Sequence, residues 1–278
     1  MMKKSIKTMV MAGLATVMVC SAIALAGCGG ESAATDGKDG KTLNVITHAN
    51  WNPFEYMDKG QIVGFDIELM QAVAEEAGYT ANIKDVGWEA IFQQIQGKSA
   101  DAAISGITAT DERKQTFAFS LPYFVSKEAI LVPADSDITS IKDIQDKGKT
   151  VSVQNGSTAQ VALEKILGKN DPNIKKTTIS DQMLLGGQVD AMAGDETSIL
   201  KIMQAHPDKK LKIVYDDQAF QPEYFSIMYP KDSKDVKEKL DAALKKVIDS
   251  GKYAEIYKKW FKKDPNIDEL KKAMDANK

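Results

Sequence analysis

The only arginine of the chain, Arg113, ends the stretch Gly106-Ile-Thr-Ala-Thr-Asp-Glu-Arg113. Lys and Arg together number 36, so every other basic residue is a lysine. A guanidinium presents a planar pair of donors that can hold both oxygens of a carboxylate, whereas an ammonium is a mobile and strongly hydrated point charge. The stretch therefore predicts that Arg113 binds a carboxylate. The alternative is a surface or structural ion pair with Glu112 or Asp111.

A group of opposite charge, Asp195, follows a predicted strand and precedes a predicted helix. One interpretation is a helix N-cap, because a carboxylate there accepts hydrogen bonds from free backbone N–H groups. The other interpretation is an acceptor for an ammonium group. An anion receptor at Arg113 and a cation receptor at Asp195 would together hold the two ends of a zwitterion.

Hydroxyl groups near these two residues could complete a polar site. Thr108 offers a hydroxyl and a backbone N–H, two residues after Gly106. Ser157 and Thr158 open a predicted helix, where unpaired N–H groups and the helix dipole favour a carboxylate. We therefore predict that donors from both halves of the chain converge on one small ligand.

Large aromatic rings stand in loop or helix-start positions. Trp51 lies between two asparagines, and Trp88 opens a predicted helix. Their faces could cover an apolar or cationic part of a ligand, and the alternative for each is core packing. Trp260, on the last of the predicted helices, is assigned to the core.

Composition and motifs argue against several other classes of function. The formal net charge is -3 and the pI is about 5.6, so no basic surface indicates nucleic acid. His48 and His206 are the only histidines, and no metal-ligand spacing, nucleophile elbow or phosphate-binding glycine loop is present. We predict no catalytic residues, no metal and no cofactor.

Strand and helix patterns alternate along the chain, which favours an α/β fold with mostly parallel sheets. In such sheets ligands bind at the carboxyl ends of strands, where Gly106 and Asp195 are predicted to lie. The predicted strands are 43–47, 100–105, 128–133, 150–154, 174–179, 190–194 and 225–228, and predicted helices begin near residues 66, 88, 158, 181, 196, 234 and 252. Asp66 is the predicted N-cap of the first helix.

A short internal echo links the two halves of the chain. Asp101 and Asp190 each follow a glycine-ended helix and open a strand of small residues. Counted from each aspartate, Gly106 and Asp195 occupy the same place. The echo predicts two sheets that present equivalent strand ends to one cleft, and the alternative is chance among small residues.

The first 41 residues have a composition typical of export. Residues 1–27 combine three early lysines with an apolar run of small residues, as in a signal peptide. The quartet Leu25-Ala-Gly-Cys28 resembles a bacterial lipobox, which predicts lipid attachment at Cys28. Residues 28–41 are rich in Gly, Ser, Ala and Asp and predict a flexible tether. The alternatives are a plain signal peptide or a membrane anchor.

Five motifs give the chain a resemblance to a known family, the family-3 solute-binding proteins. These are periplasmic-type amino-acid-binding proteins of ABC importers, and the pattern is similar to that of glutamine-binding proteins. The motifs are Asn52-Pro-Phe-Glu55, Val63-Gly-Phe-Asp66-Ile-Glu68-Leu, Gly106-Ile-Thr-Ala-Thr-Asp-Glu-Arg113, Phe119-Ser-Leu-Pro-Tyr123 and Tyr253-Ala-Glu-Ile-Tyr257-Lys-Lys-Trp260-Phe. They occur in order and span most of residues 42–263.

The resemblance implies a two-lobed periplasmic-binding-protein-like fold of type II with two hinge strands, near Leu131-Val132 and Ser226-Ile227. It implies a first lobe of residues 42–132 and 227–278 and a second lobe of residues 133–226. It also implies roles in the site. Arg113 and backbone groups at Thr108 and Thr158 would bind the ligand carboxylate. Asp195, the Gly106 carbonyl and the Thr108 hydroxyl would bind the ammonium, and Trp51 and Trp88 would be the aromatic positions.

The chain departs from the family pattern where the ligand side chain would lie. His48 stands where the family has an acidic residue, Gln154 where it has a lysine or similar group, and Gly194 precedes Asp195. No cationic residue besides Arg113 is evident for the side chain, so glutamate and aspartate are disfavoured. We expect a neutral polar or an aromatic amino acid.

The resemblance also implies partners and a location. We expect a free L-amino acid as ligand, the membrane permease of an ABC importer as partner, and a monomer anchored outside the bacterial cell membrane by its lipid. Two alternatives stay open. One is a dehydratase-type enzyme on the same scaffold, with Glu223 or His48 as acid or base. The other is the ligand-sensing module of a signalling protein.

Overall fold

The computed structural model describes residues 41–277. The predicted signal peptide, Cys28 and almost all of the predicted tether lie outside the described residues. Within residues 41–277, no helix is both long enough and apolar enough to cross a membrane.

The described chain alternates strands and helices. The strands are β1 (Lys41–Thr47), β2 (Asn50–Trp51), β3 (Glu55–Asp58), β4 (Gln61–Val63), β5 (Tyr79–Asp85), β6 (Ala102–Ala103), β7 (Phe117–Phe119), β8 (Phe124–Ser126), β9 (Glu128–Pro133), β10 (Val151–Gln154), β11 (Ile174–Thr177), β12 (Ala191–Asp195), β13 (Leu211–Val214), β14 (Glu223–Phe225) and β15 (Met228–Pro230). The helices are α1 (Phe65–Glu76), α2 (Trp88–Gln96), α3 (Asp111–Thr116), α4 (Ile141–Asp146), α5 (Thr158–Leu167), α6 (Ser180–Leu185), α7 (Glu196–Ala205), α8 (Lys234–Asp249), α9 (Lys252–Phe261) and α10 (Ile267–Ala276).

Two five-stranded sheets share one plan. The first has the order β5-β1-β6-β15-β7, and the second has the order β11-β10-β12-β9-β13. In each sheet three strands run parallel with the earliest in the middle, and two further strands join antiparallel. The prediction of an α/β fold with largely parallel sheets is confirmed, and the shared plan accounts for the sequence echo.

Each sheet is buried on both faces, as parallel strands covered by helices require. Leu43 and Val45 of β1 pack into one apolar cluster with α1, α8 and α9, whereas Ile46 packs into another with α2. Along β9, Ile130 and Leu131 likewise enter clusters on opposite faces of the second sheet. The alternation follows from the period of two along a strand, and it fixes the direction in which each strand end points.

A two-stranded ribbon stands between the two sheets in the chain. Strands β8 and β14 pair antiparallel, with Glu223 opposite Ser126 and Phe225 opposite Phe124. We predicted hinge strands near Leu131-Val132 and Ser226-Ile227. Leu131 pairs with Met192 and Ile213, inside the second sheet, whereas β8 comes one strand earlier in the chain. We propose that the first lobe ends near residue 126 rather than residue 132.

Several element boundaries differ from prediction for local reasons. Gly64, with a φ of 142°, is the N-cap of α1, and Asp66 lies inside that helix, so the cap prediction is wrong. The predicted strand 225–228 is two strands, β14 and β15, because the chain moves from the ribbon into the first sheet between them. The elements that were not predicted are strands β2, β3, β4, β5, β7, β8 and β13 and helices α3, α4 and α10.

Candidate functional site

The turn after β6 is built on Gly106. Its φ of +55° lies in the left-handed region, and a Cβ there would stand 1.9 Å from Cζ3 of Trp51. Glycine is therefore required both for the turn and for the closeness of the indole. The Gly106 N–H donates to Oδ2 of Asp66 at 2.9 Å and to Oη of Tyr123 at 3.1 Å. This turn places Thr108 and Arg113 beyond the strand end.

A buried carboxyl network supports this turn from below, and the sequence analysis missed it. The Tyr123 hydroxyl donates to Asp66 at 2.7 Å, and the Ser105 hydroxyl donates to Glu55 at 2.6 Å. Burial raises the pKa of Asp66 to about 7 and raises the pKa of Glu55 well above its usual range. Asp66 and Glu55 lie in motifs of the family resemblance, but nothing in the sequence showed that their side chains would meet.

Arg113 joins the two halves of the site. Its Nη1 donates to the carbonyl of Thr108 and its Nη2 donates to the carbonyl of Gly156, each at 3.0 Å. The Thr110 hydroxyl accepts from the Arg113 N–H and caps α3. Because Thr108 follows the first sheet and Gly156 precedes α5 of the second lobe, the guanidinium spans both. This position supports the binding interpretation over a surface ion pair.

Aromatic rings hold the guanidinium from its flat side. The guanidinium carbon lies 5.0 Å from the ring centre of Phe92 and 5.6 Å from that of Trp88, within the range of cation–π contacts. Trp88 and Phe92 contact each other edge to face, at 5.1 Å. The geometry makes Trp88 a support for Arg113. Phe92 was not predicted, although its place one helical turn after Trp88 on α2 is a usable signal.

Two threonines share the carboxylate of Glu223. The hydroxyl of Thr108 donates to Oε2 of Glu223 at 2.6 Å, and the hydroxyl of Thr158 lies 2.9 Å from the same oxygen. The Thr158 hydroxyl also lies 2.7 Å from Oε1 of Glu128. Thr108 approaches because it bridges to Phe225 of β14. Residues from the first lobe, the second lobe and the ribbon therefore meet at Glu223.

Asp195 serves as the N-cap of α7. Its Oδ1 accepts from the backbone N–H groups of Thr197 at 2.7 Å and Ser198 at 3.4 Å, and its Oδ2 accepts from the Ser126 hydroxyl. Burial raises the pKa of Asp195 to about 7, against the lowering effect of these N–H groups, and the charge of Glu223 raises it further. The capping interpretation is therefore seen directly, and the carboxylate also shares the electrostatic environment of Glu223.

Strand register explains why the three acids converge. Glu128 pairs with Asp195 across β9 and β12, and Glu223 pairs with Ser126 across β14 and β8. Burial raises the pKa of Glu128 well above its usual range, the negative charge of Glu223 raises it further, and burial also raises the pKa of Glu223. When all three acids are ionised, Arg113 balances only one of their charges. An added cation would therefore stabilise this site.

Trp51 reaches from the first lobe to the start of α7 in the second lobe. Its ring stacks on Phe54 at 4.4 Å and meets Phe225 edge-on at 5.7 Å, and its Nε1 donates to the hydroxyl of Ser198 at the start of α7. One face of the indole therefore belongs to the core, while its edge reaches from Gly106 to the second lobe. Trp260 packs against the core cluster of the first sheet, as expected.

Three further predicted residues, His48, Gln154 and Ser157, are partly buried. His48 is half-buried, its N–H donates to the Ser105 hydroxyl, and burial lowers the pKa of its imidazole against the raising effect of Asp85 and Glu89. Gln154 ends β10 and is half-buried. Ser157 is the N-cap of α5, where its hydroxyl accepts from the Gln160 N–H.

The structure thus brings Arg113, Thr108, Thr158 and Asp195 around Glu223. Ser126 and Glu128 were missed, and Glu223 was considered only as an enzymatic acid or base. No sequence signal marked them, because they come together through the pairing of β8, β9, β12 and β14. Within residues 41–277, no group of three or more His, Cys, Asp and Glu side chains is arranged to hold a metal ion.

The sequence is similar to those of bacterial solute-binding proteins. A family profile for bacterial extracellular solute-binding proteins, family 3, matches residues 43–263. A Neisseria gonorrhoeae protein named "Probable histidine-binding protein" is 33% identical over 258 residues, which cover 90% of this chain and 96% of that protein. The arginine-binding extracellular protein ArtP of Bacillus subtilis is 32% identical over 252 residues, covering 89% of this chain and 96% of ArtP.

Solved structures show the same relationship. The arginine-, lysine-, histidine-binding protein ArtJ of Geobacillus stearothermophilus is 46% identical and superposes with a TM-score of 0.79, over 83% of this chain and 100% of ArtJ. The fold is the two-lobed arrangement that the sequence motifs implied. The chain belongs to the bacterial extracellular solute-binding proteins, family 3.

Proposed function

We propose that this protein is an extracytoplasmic receptor that captures an L-amino acid between its two lobes and delivers it to an ABC importer. The observation that carries the proposal is a chain of contacts that links Arg113 to Asp195 through Glu223. Arg113 donates to the Thr108 carbonyl, and the Thr108 hydroxyl donates to Glu223. Thr158 contacts both Glu223 and Glu128, and Glu128 lies opposite Asp195 in the sheet. An anion receptor and a cation receptor in one buried place suit a dipolar ligand. The relatives named for binding amino acids support the same class of function.

In the proposed complex, the ligand carboxylate binds the guanidinium of Arg113 and the backbone N–H groups at Thr108 and Thr158. The ligand ammonium binds Asp195, the carbonyl of Gly106 and the hydroxyl of Thr108. The cation–π contacts with Trp88 and Phe92 fix the plane of the guanidinium beforehand. A pre-positioned fork loses less conformational entropy on binding than a free one.

For the ligand side chain we propose a cationic group, as in arginine, lysine or histidine, in place of the neutral polar or aromatic group favoured by sequence. The carboxylates of Glu223 and Asp195 face the single guanidinium of Arg113, which supports a positive ligand. Asp85 and Glu89 add negative potential beside His48. The face of Trp51 could cover an aliphatic stem or a cation. The names of ArtP and ArtJ point the same way.

A thermal-shift and calorimetry panel with the purified protein tests this proposal. We expect L-arginine, L-lysine or L-histidine to raise the melting temperature most, L-glutamine and L-phenylalanine less, and L-glutamate least. Ligand at a hundredfold excess over Kd stabilises the fold by about 2.7 kcal/mol. A panel in which no amino acid changes the melting temperature would reject the receptor function. Recovery of unchanged ligand separates binding from turnover.

We also propose that lipid at Cys28 anchors the protein as a monomer outside the cell membrane, near the importer. The lipobox-like quartet supports this. Fractionation of cells that express wild-type protein or Cys28→Ala tests it. We expect the wild type in the membrane fraction and the variant in the soluble extracytoplasmic fraction. Equal partition of both would contradict lipid attachment at this residue.

A further inference from the structure

Glu128 and Glu223 compete for one hydroxyl. The Thr158 oxygen lies 2.7 Å from Glu128 Oε1 and 2.9 Å from Glu223 Oε2, and both distances are those of hydrogen bonds. A hydroxyl carries a single hydrogen and can donate it to only one acceptor. The second contact is therefore attractive only if one of the two glutamates carries a proton and donates it to Thr158.

The surroundings decide which glutamate is the acid. Glu128 is buried, and the negative charges of Glu223 from the ribbon and Asp195 from the paired strand face it. The Ala159 N–H also donates to Glu128, and the guanidinium of Arg113 faces it too, although that guanidinium interacts more strongly with Glu223. Glu223 faces the guanidinium of Arg113 and accepts a second hydroxyl bond from Thr108. A cation and two donors favour the ionised form at Glu223, and two negative neighbours favour the protonated form at Glu128.

We propose that Glu128, Thr158 and Glu223 form a directed relay that sets the ligand specificity of the site. The Glu128 acid donates to the Thr158 hydroxyl, Thr158 donates to the Glu223 carboxylate, and Thr108 donates to the same carboxylate. Glu223 thereby binds the hydroxyl hydrogens of both threonines. The lone pairs of the Thr108 oxygen then face the ligand, so that Thr108 accepts from an ammonium group. Glu223 is a positioning residue that acts through Thr108 and Thr158.

This inference rests on the proposed function, because it specifies how the same site recognises the α-ammonium group. It predicts that Glu223 helps the site to distinguish ligands with an α-ammonium group from ligands without one. Without an ionised Glu223, the Thr108 hydroxyl can rotate and donate, and the advantage of a ligand with an α-ammonium group over one without it falls. It also predicts that affinity declines at alkaline pH, since loss of the Glu128 proton would break the first hydrogen bond of the relay.

The first experiment needs no ligand. Infrared spectra of the full protein report the C=O stretch of protonated carboxyl groups, and we compare wild type, Glu128→Gln and Glu238→Gln. Glu238 is a matched control because its side chain is largely exposed and pairs only loosely with Lys234, at 3.8 Å. We expect Glu128→Gln to lose acid-band intensity at neutral pH and Glu238→Gln to keep it. Equal bands in the two variants would overturn the proton assignment.

The second experiment measures specificity. The affinities of wild type, Glu223→Gln and Glu238→Gln for L-arginine and for δ-guanidinovalerate, which lacks the α-amino group, are compared by calorimetry. We expect the preference of the wild type for L-arginine to fall by about tenfold or more in Glu223→Gln, since charge-assisted hydrogen bonds are the strong ones. An unchanged ratio would overturn the role of Glu223.

The third experiment follows affinity for L-arginine from about pH 5 to about pH 9, a range in which buried glutamates titrate. We expect the affinity of Glu128→Gln to decline less between about pH 7 and about pH 9 than that of the wild type, because the amide donates to Thr158 at every pH in this range. An identical decline in both would contradict the relay. Failure of the wild type to bind any amino acid would instead reject the proposed function, and the infrared comparison would still decide the proton assignment.

Discussion

The two sheets begin their central strands, β6 and β12, in the same way and then diverge. In the first sheet Asp101 accepts from the Asn44 N–H at 2.8 Å, and in the second Asp190 accepts from the Thr150 N–H at 2.8 Å. Five residues after each aspartate, the two segments of the chain take different conformations. Gly106 makes a left-handed turn that leads to Arg113, whereas Asp195 caps α7 with its own carboxylate.

The difference shows how one scaffold can supply opposite charges to one cleft. Where the strand end is a glycine, the side chains that reach the cleft come from further along the loop, and the backbone itself is exposed. Where the strand end is an aspartate, the side chain caps the following helix, and in the proposed complex the same side chain also binds the ligand ammonium. The first lobe therefore supplies a cation and the second an anion, although their strand plans are alike.

The largest effect should come from replacing the planar guanidinium of Arg113 in the first lobe. We expect Arg113→Lys to weaken amino-acid binding by about a hundredfold or more, because one ammonium cannot replace two parallel donors held on Trp88. The fold should persist. Calorimetry gives the affinity and thermal unfolding gives the stability, with Lys114→Ala on the exposed neighbour as the control. Affinity within twofold of wild type would exclude the clamp role.

A second test compares the glycines of the two strand ends. Gly106→Ala should destabilise the fold by about 2 to 4 kcal/mol, because it combines a left-handed φ with a clash against Trp51. At Gly194 the added Cβ would meet only Cε of Met192, at 3.4 Å. We expect Gly194→Ala to change the free energy of unfolding by less than about 1 kcal/mol. Urea unfolding measures both, and similar losses would remove the asymmetry.

A third test uses pH on the anionic end of the cleft. The pKa of Asp195 is raised to about 7, so the proton must leave before the carboxylate can pair with a ligand ammonium. Affinity should therefore fall as pH drops below about 7, and Asp195→Asn should bind weakly with little acid dependence.

The raised pKa of Asp195 has the opposite effect on the stability of the ligand-free protein: affinity rises with pH, whereas stability falls. An acid with a raised pKa holds its proton more tightly when folded, so its contribution to the free energy of unfolding declines as pH rises from about 4 to about 7. Asp195→Asn should lack that part of the decline. If the affinity of Asp195→Asn falls at acid pH as that of the wild type does, a group other than Asp195 controls this pH dependence.

The smallest expected effects concern the shared aspartates. Asp101→Ala and Asp190→Ala each remove a carboxylate that accepts a backbone N–H at the start of a central strand, and each should cost about 1 to 2 kcal/mol of stability. Equal losses would support the structural equivalence of the two sheets. A loss confined to one variant would mean that only that sheet depends on the contact. Thermal unfolding of the two single variants decides between these outcomes.

Sequence reasoning placed two helices correctly and failed where a side chain makes a long-range contact. The helices 196–205 and 252–261 coincide with their predictions, because their ends carry an N-cap at Asp195 and a break at Gly251. The prediction failed at Asp66, where a residue type favoured at N-caps instead lies under Gly106. Local propensity cannot report such a contact, which joins residues 40 positions apart.

The sequence by itself determined the family, the α/β class and the presence of a single arginine. Residue types and the order of the motifs can be read from the sequence without a three-dimensional structure. Only the tertiary structure decided that Glu128, Glu223 and Asp195 share one site, because the pairing register of four strands and the ribbon brings them together. Register depends on long-range packing of both sheet faces, and no single segment of the chain encodes it.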